Sequence, residues 1–190
     1  MRWFGRRFAI LVLTLVGIVA LPLMPAAAQS FRLNSHDIVN GQIQPAQLSS
    51  KAYGYGCAGE NRSPELVWSG APPGTQSFVL TIFDLDAPNG LGWFHWVVVN
   101  IPASVESLPA GASGAGIASI GAIETRTDFG VPGYGGPCPP ARTAHRYRFV
   151  LTALRTPKLP VDANATPAMV GIFVEANKLD QASFTAIYGR

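Results

Sequence analysis

The chain has 190 residues, with 14 Lys and Arg against 11 Asp and Glu and a formal net charge of +3. Three of the basic residues, Arg2, Arg6 and Arg7, lie in the first seven positions, so the remainder carries equal numbers of the two signs. The basic pI of about 9.1 therefore reflects the N-terminal segment. Since no Lys/Arg run of the kind that follows a phosphate backbone remains, nucleic acid is excluded as the expected partner.

The first 28 residues have the three-part layout of a secretory signal peptide. The arginines precede an almost wholly apolar run, Phe8–Met24, and then a small-residue cleavage site, Ala26-Ala27-Ala28. We expect cleavage after Ala28, a single domain over residues 29–190, no membrane span after cleavage, and a periplasmic or secreted location. The alternative is a retained anchor, because the apolar run is about as long as the shortest bilayer spans.

Several apolar or alternating stretches bounded by turn-forming residues predict strands. The stretches are Phe31–Ile38, Ser77–Phe83, Trp96–Ile101, Tyr147–Ala153 and Ser183–Tyr188. Gly41–Ala58 is predicted to be a surface segment, and the Ala-, Ser- and Gly-rich segment Ala103–Gly121 a flexible crossing loop. Many strands and few helices favour an all-β fold, a two-sheet antiparallel Greek-key sandwich with one or two short peripheral helices.

One clear helix is predicted near the end of the chain. Thr166 suits its N-cap and Pro167 its first turn. The apolar residues that recur at helical spacing are Met169, Ile172, Phe173 and Ala176.

The two cysteines, Cys57 and Cys138, favour a disulfide. Exported chains enter an oxidising compartment, and the absence of a C-x-x-C spacing argues against a metal site. The alternative is a pair of free buried thiols.

Polar residues capable of chemistry lie where the central apolar runs begin or end. Asp84 and Asp86 follow the Ser77–Phe83 run, His95 enters the next run beside Trp93, and His145 with Arg146 precedes the Tyr147–Ala153 run. Taken alone, these residues are compatible with a metal site, with an acid–base pair for hydrolysis, with an anion pocket, or with strand-end groups that satisfy one another. An anion pocket would use the histidines and the N–H groups of the glycine loop as donors, with Asp84 holding a histidine in its protonated form.

Three pieces of the sequence resemble the phosphatidylethanolamine-binding protein family, in its bacterial Raf-kinase-inhibitor-like branch. They are Asp84-Leu85-Asp86-Ala87-Pro88, Gly92-Trp93-Phe94-His95-Trp96, and Gly133–Pro140 followed by His145-Arg146-Tyr147. The resemblance extends over 31–190 and implies the same sandwich. Leu85 stands where the family has proline, and residues 141–144 lack the glycine common before His-Arg-Tyr. The isomer of the Ala87–Pro88 bond stays open.

The resemblance selects the anion pocket and assigns its residues. It implies ligand binding by Asp84, His95, Gly136, Pro137 and Tyr147. It implies supporting roles for Asp86, Pro88, Trp93, His145 and Arg146, with Arg146 paired to a carboxylate such as Asp86.

From these observations we expect an exported protein that binds a small anionic or phosphoryl group, such as a phospholipid head group, as a monomer or homodimer. It is expected to use no cofactor and no metal, and regulation of a partner protein is a further expectation. The alternatives are a hydrolase that uses Asp84 and His95, and a protease inhibitor that acts through a surface loop, for which Ala103–Gly121 is the candidate.

Overall fold

The computed structural model describes residue 1 and residues 30–190. The predicted signal peptide, 1–28, lies outside that range except for its first residue. Within the described part of the chain, no helix is both long enough and apolar enough to cross a bilayer.

Ten strands, two α-helices and two short 3-10 turns make up the described chain. In order they are β1 (Arg32–Asn34), β2 (Ile38–Val39), β3 (Gln42–Ile43), the 3-10 turns Pro45–Gln47 and Lys51–Tyr53, β4 (Leu66–Ser69), β5 (Ser77–Asp84), β6 (Trp93–Pro102), β7 (Ser107–Leu108), α1 (Ala115–Ser119), β8 (Ile123–Glu124), β9 (Ala144–Leu154), α2 (Pro167–Asn177) and β10 (Lys178–Gly189).

The strands form two sheets, as predicted. The smaller sheet has the order β1-β4-β7, and the larger has the order β2-β3-β10-β9-β5-β6-β8. The pairings are antiparallel except for the parallel pairing of β3 with β10, so the larger sheet is mixed at this point. Of the predicted strands, Phe31–Ile38 is broken into two short pieces, whereas Ser183–Tyr188 is the second half of the much longer β10.

The core fills the space between the sheets because alternate residues of the central strands point inward. On β5 the inward residues are Phe78, Leu80 and Ile82, and they pack in one cluster with Leu66 and Trp68 of the smaller sheet. The outward residues Val79, Val97 and Val99 form a second cluster under α2. The larger sheet is therefore apolar on both faces, which explains the near-continuous apolar runs in its sequence.

Helix α2 begins where the sequence predicted but buries a different face. The side chain of Thr166 accepts a hydrogen bond from the N–H of Met169 at 3.3 Å, and Pro167 opens the helix. The buried residues are Val170 and Val174, whereas Met169 and Ile172 are 50% and 71% exposed. The apolar spacing predicted the helix correctly and its buried face wrongly, since valines on an adjacent stripe contact the sheet.

The Ala103–Gly121 segment is packed rather than flexible. It contains β7 and α1, and Leu108, Ala112 and Ile117 are buried in the core between the sheets. Glu124, just after the segment, holds its middle, because the carboxylate accepts hydrogen bonds from the Ser113 hydroxyl at 2.6 Å and the Gly114 N–H at 2.8 Å. These contacts anchor the segment at several points, whereas most of its other residues are exposed.

Candidate functional site

The candidate site lies where three neighbouring strands of the larger sheet end or begin. Asp84, the last residue of β5, pairs with Trp93 at the start of β6 and with Tyr147 on β9. His145 lies two residues before Tyr147, on the same inward face of β9. The separations in sequence are large, but the register of the sheet brings these side chains together.

His95 reaches this site because β6 has an irregularity at that residue. Ile82 pairs with Trp96 and Phe83 pairs with Phe94, so His95 is an extra residue in β6 with no counterpart on β5. Trp96 packs in the core between the sheets, and the His95 ring lies on the same side, with its centroid 5.3 Å from that of Tyr147. Phe94 instead packs in the cluster under α2. The bulge therefore places two consecutive side chains on one face of the sheet.

Asp84 is buried with both carboxylate oxygens occupied. One oxygen, Oδ1, accepts the N–H of Asp86 at 2.9 Å, and the other, Oδ2, accepts Nδ1 of His145 at 2.7 Å. A buried carboxylate is costly unless it is paired and hydrogen-bonded, and this arrangement meets that requirement. The partner of Asp84 is thus His145 and not His95.

His95 is fixed by a backbone carbonyl. Its Nδ1 donates to the carbonyl oxygen of Gly135 at 2.6 Å, and only 4% of its surface is exposed. Burial lowers the pKa of the His95 imidazole, and the opposing effects of the Gly135 carbonyl and the Asp84 carboxylate are smaller. Burial therefore favours the neutral form of His95, whereas the sequence led us to expect a protonated donor, because desolvation outweighs the nearby negative charge.

Tyr147 forms part of the floor of the site. It is fully buried, and its hydroxyl has no hydrogen-bond partner among the described residues. Burial raises the pKa of the Tyr147 phenol, with a smaller contribution from Asp84, so the hydroxyl keeps its proton at physiological pH. By contrast, the buried hydroxyl of Tyr134 donates to the carbonyl of Gln47 at 2.8 Å.

The glycine loop forms a wall of the site, and its Gly136 position admits no side chain. A Cβ at Gly136 would lie 2.4 Å from the carbonyl oxygen of Gln47 and 2.5 Å from the amide nitrogen of Ser49. The N–H of Gly136 donates to the Asn61 side chain at 2.7 Å. The N–H of Gly135 donates to the carbonyl of His95 at 2.9 Å. Both amides are therefore used in hydrogen bonds within the protein. They are not free donors for an anion, although the sequence had led us to expect that role for them.

A disulfide joins Cys57 to Cys138, as predicted, with their Cα atoms 5.9 Å apart. Arg190 adds a second connection between the same two loops, because its guanidinium donates to the carbonyls of Gly56 at 2.7 Å and Pro139 at 2.9 Å. The loop that holds Tyr55 is thereby fastened to the loop that holds Gly136.

The predicted pairing of Asp86 with Arg146 is present outside the pocket. The guanidinium of Arg146 donates to both carboxylate oxygens, at 2.7 and 2.9 Å, and its backbone N–H donates to the same carboxylate at 2.8 Å. These bonds lower the pKa of Asp86 to about 2. They fix the loop after β5 to the start of β9. The Ala87–Pro88 bond in this loop is trans.

Together these residues enclose a pocket of about 270 Å³. The predicted residues that line it are Asp84, Pro88, Trp93, His95, Gly136, His145 and Tyr147. Pro137 does not line the pocket; its carbonyl accepts the N–H of Ser49 behind the wall.

Of the remaining lining residues, Cys138 was predicted only as half of the disulfide. Sequence reasoning did not assign the others to the site, and they are Tyr55, Ala87, Asn89, Phe129, Pro139 and Pro140. Phe129 is the centre of an aromatic group, with ring centroids 5.4 Å from Trp93, 5.3 Å from His95 and 6.2 Å from Tyr55. For Phe129 the sequence did offer one signal, because the stretch Glu124–Gly130 also resembles the bacterial branch of the family.

Among residues 30–190, no group of three or more His, Cys, Asp and Glu side chains is arranged to hold a metal ion.

The protein is a two-sheet sandwich with a small pocket at the ends of its central strands. This is the architecture of a β-sandwich binding protein. The model of the family described as "Phosphatidylethanolamine-binding protein" matches residues 34–189, and the chain belongs to that family. The Escherichia coli K12 protein "UPF0098 protein YbcL" is 45% identical over 175 residues, covering 90% of this chain and 94% of its own length. "UPF0098 protein YbhB" of the same organism is 45% identical over 159 residues, covering 83% and 99%.

Solved structures agree with this assignment. The crystal structure of E. coli YbcL, described as a new member of the mammalian PEBP family, superposes with a TM-score of 0.78 at 45% identity, covering 84% of this chain and 98% of that one. The putative phosphatidylethanolamine-binding protein homologue CT736 of Chlamydia trachomatis gives a TM-score of 0.70 at 27% identity, covering 85% and 98%.

Proposed function

We propose that this protein is exported and that its pocket binds a small anionic group of the phosphoryl type, either free phosphate or a phosphoethanolamine head group. The observation that carries the proposal is the pair of histidines in the pocket, each held through Nδ1 by a protein acceptor. The second nitrogen of each ring, Nε2, remains available to a ligand. The family's name supports a phosphoethanolamine-type ligand.

The size and walls of the pocket limit what it can accept. Sites for drug-sized ligands measure about 300–1,000 Å³, so a pocket of about 270 Å³ suits a head group rather than a whole lipid. The aromatic rings of Tyr55, Trp93 and Phe129 would cover the less polar part of the ligand, while Asp84 orients His145 from behind.

Calorimetric titration with phosphate and phosphoethanolamine tests the proposal. We expect His95→Gln and His145→Gln each to lower the affinity by roughly ten- to a hundredfold, since hydrogen bonds to charged groups contribute about 1.5–3 kcal/mol. His36→Gln is the matched control, because the side chain of His36 is 83% exposed and its partner is Glu65. Unchanged affinity in both pocket variants, with the fold verified by circular dichroism, would overturn the proposal.

Export is supported by the leader pattern and by the disulfide, which suits an oxidising compartment. Mass spectrometry of protein recovered from the periplasm or medium should give a mature chain that begins at Gln29. Recovery of the intact chain in the inner membrane would instead identify an anchor.

A hydrolase is the second candidate, and the pairing of Asp84 with His145 is the observation that favours it. A carboxylate that orients a histidine is the arrangement found in general bases. His145 would then be the base, and not His95 as the sequence led us to expect. A screen of phosphoesters tests this, and turnover that His145→Gln abolishes and His36→Gln leaves unchanged would establish it.

A further inference from the structure

We propose that the pocket binds its anion together with a proton, and that it therefore selects phosphate or phosphomonoester groups over anions that carry no hydrogen. This inference deepens the proposed function and rests on it. It follows from the hydrogen bonds that fix the two histidines.

The first step is the tautomer of His95. Its Nδ1 lies 2.6 Å from the carbonyl oxygen of Gly135. A carbonyl oxygen can only accept a hydrogen bond, so the proton of this ring is on Nδ1. In the neutral imidazole, Nε2 then carries a lone pair and can only accept.

The second step is the same argument for His145. Its Nδ1 lies 2.7 Å from Oδ2 of Asp84, and the other oxygen of that carboxylate already accepts the N–H of Asp86. An ionised carboxylate donates nothing, so the proton lies on Nδ1 of His145. When the rings are neutral, each thus offers a lone pair, and neither offers an N–H, at the nitrogen left for a ligand.

The third step concerns the ionisable groups that act on these rings from neighbouring elements. They are Asp84 at the end of β5, Asp86 in the loop after it, Asp128 in the loop after β8, Tyr147 on β9, and Tyr188 on β10, which pairs with His145. The guanidinium of Arg146 is paired with Asp86. No Lys or Arg is among the residues that line the pocket, and the Arg190 guanidinium is used by loop carbonyls, so a bare anion meets positive charge in the pocket only on a protonated histidine.

These facts give a balanced binding reaction. A neutral ring, a proton and a fully ionised phosphomonoester combine into a complex in which Nε2–H donates to a phosphoryl oxygen. Alternatively, hydrogen phosphate, which already carries a hydrogen, donates its O–H to the Nε2 lone pair. In both cases one hydrogen lies between the ring and the anion; the solvent supplies it for the fully ionised phosphomonoester, and hydrogen phosphate brings its own. Asp84 and Asp128 favour its uptake, because opposite charges stabilise a protonated ring.

Calorimetry in two buffers of different ionisation enthalpy measures the number of protons taken up on binding. At a pH above the second pKa of the phosphoryl group, we expect phosphoethanolamine, whose phosphoryl group then carries no hydrogen, to bind with uptake of about one proton. Inorganic phosphate keeps one hydrogen at that pH and should bind without this uptake. Sulfate is the matched probe, since it has the same shape and is fully ionised over the whole range. We expect sulfate to bind roughly tenfold more weakly than phosphate or worse, and the difference to shrink as the pH falls and the rings become charged.

A spectroscopic measurement needs no variant and so does not depend on folding of a mutant. Nitrogen-15 chemical shifts of the histidine rings should identify Nδ1–H tautomers for His95 and His145 in the free protein, and an Nε2 that shares a hydrogen with the anion when phosphate is bound. His36, with its exposed side chain, provides the reference within the same spectrum.

The experiments distinguish a failure of this inference from a failure of the proposed function. Phosphoethanolamine that binds above its second pKa without proton uptake, or phosphate that binds no more tightly than sulfate, would overturn this inference and leave the proposed function intact. Ethanolamine that binds at the Nε2 atoms through its ammonium group while phosphate does not bind would overturn both, as would the absence of binding by phosphate and phosphoethanolamine.

Discussion

Replacing Tyr147 by Phe is expected to stabilise the protein, which is unusual for a change at a buried position. The Tyr147 hydroxyl is buried without a hydrogen-bond partner among the described residues. Leaving such a group unsatisfied costs about 1–3 kcal/mol, so its removal should raise the free energy of unfolding by about 1–2 kcal/mol. For a domain of this size, each kcal/mol corresponds to a rise in Tm of about 2–4 °C.

The matched control is Tyr134→Phe. That hydroxyl is equally buried but donates to the carbonyl of Gln47 at 2.8 Å, so its loss should destabilise the protein by about 1 kcal/mol. Urea unfolding of oxidised protein, with the slope of the transition compared between variants, measures both changes. If Tyr147→Phe loses as much stability as Tyr134→Phe, the Tyr147 hydroxyl has a partner in solution and the reasoning fails. Weaker phosphate binding by the same variant would support the sequence-based assignment of Tyr147 to the ligand site.

Three further predictions concern the wall of the site, the disulfide and the response to acid. Gly136→Ala should disrupt the pocket and sharply reduce phosphate affinity, because the new Cβ would collide with the backbone of the neighbouring loop. Gly171→Ala, in open space on α2, is the control and should stabilise by about 0.5–1 kcal/mol. Replacing both Cys57 and Cys138 by Ser should cost about 4–5 kcal/mol in the chain-entropy model, since the bond links residues 81 apart; an unchanged denaturation midpoint would contradict it. Burial lowers the pKa of His95 below 6.5. As the pH falls, the imidazole of His95 is therefore protonated in the unfolded state at a higher pH than in the folded state. The contribution of His95 to the free energy of unfolding is therefore fully present above about pH 6.5 and falls by up to about 1.4 kcal/mol per pH unit below it. If the free energy of unfolding of His95→Gln depends on acid pH in the same way as that of the wild type, the assignment is refuted.

Much of the framework could be predicted because it depends on local sequence. The runs that became β5, β6 and β9 are apolar and bounded by turn residues, and the three family-like pieces lie at their ends. The disulfide followed from the oxidising compartment expected of an exported chain.

What could not be predicted depends on register and packing. A bulge shifts the face on which His95 lies, and nothing in the letters Trp93-Phe94-His95-Trp96 marks which residue is the extra one. The partner of Asp84 is decided by strand pairing, which places His145 and not His95 beside it. Tyr55 and Phe129 entered the site through loops whose course depends on tertiary contacts. The buried face of α2 was predicted wrongly because the sheet beneath it, and not helical spacing alone, selects Val170 and Val174.

Because His95 lies in a bulge, the site can be lost through a change that leaves the rest of β6 in register. Since His95 is one residue more than β5 requires, deleting it would leave Phe94 and Trp96 opposite the same partners and restore the regular alternation of the strand. The side chains from Trp96 to Ile101 would keep their places in the core. A single deletion would thus remove a pocket histidine while sparing the scaffold, so this fold and an intact core do not by themselves ensure that a chain has the complete candidate site.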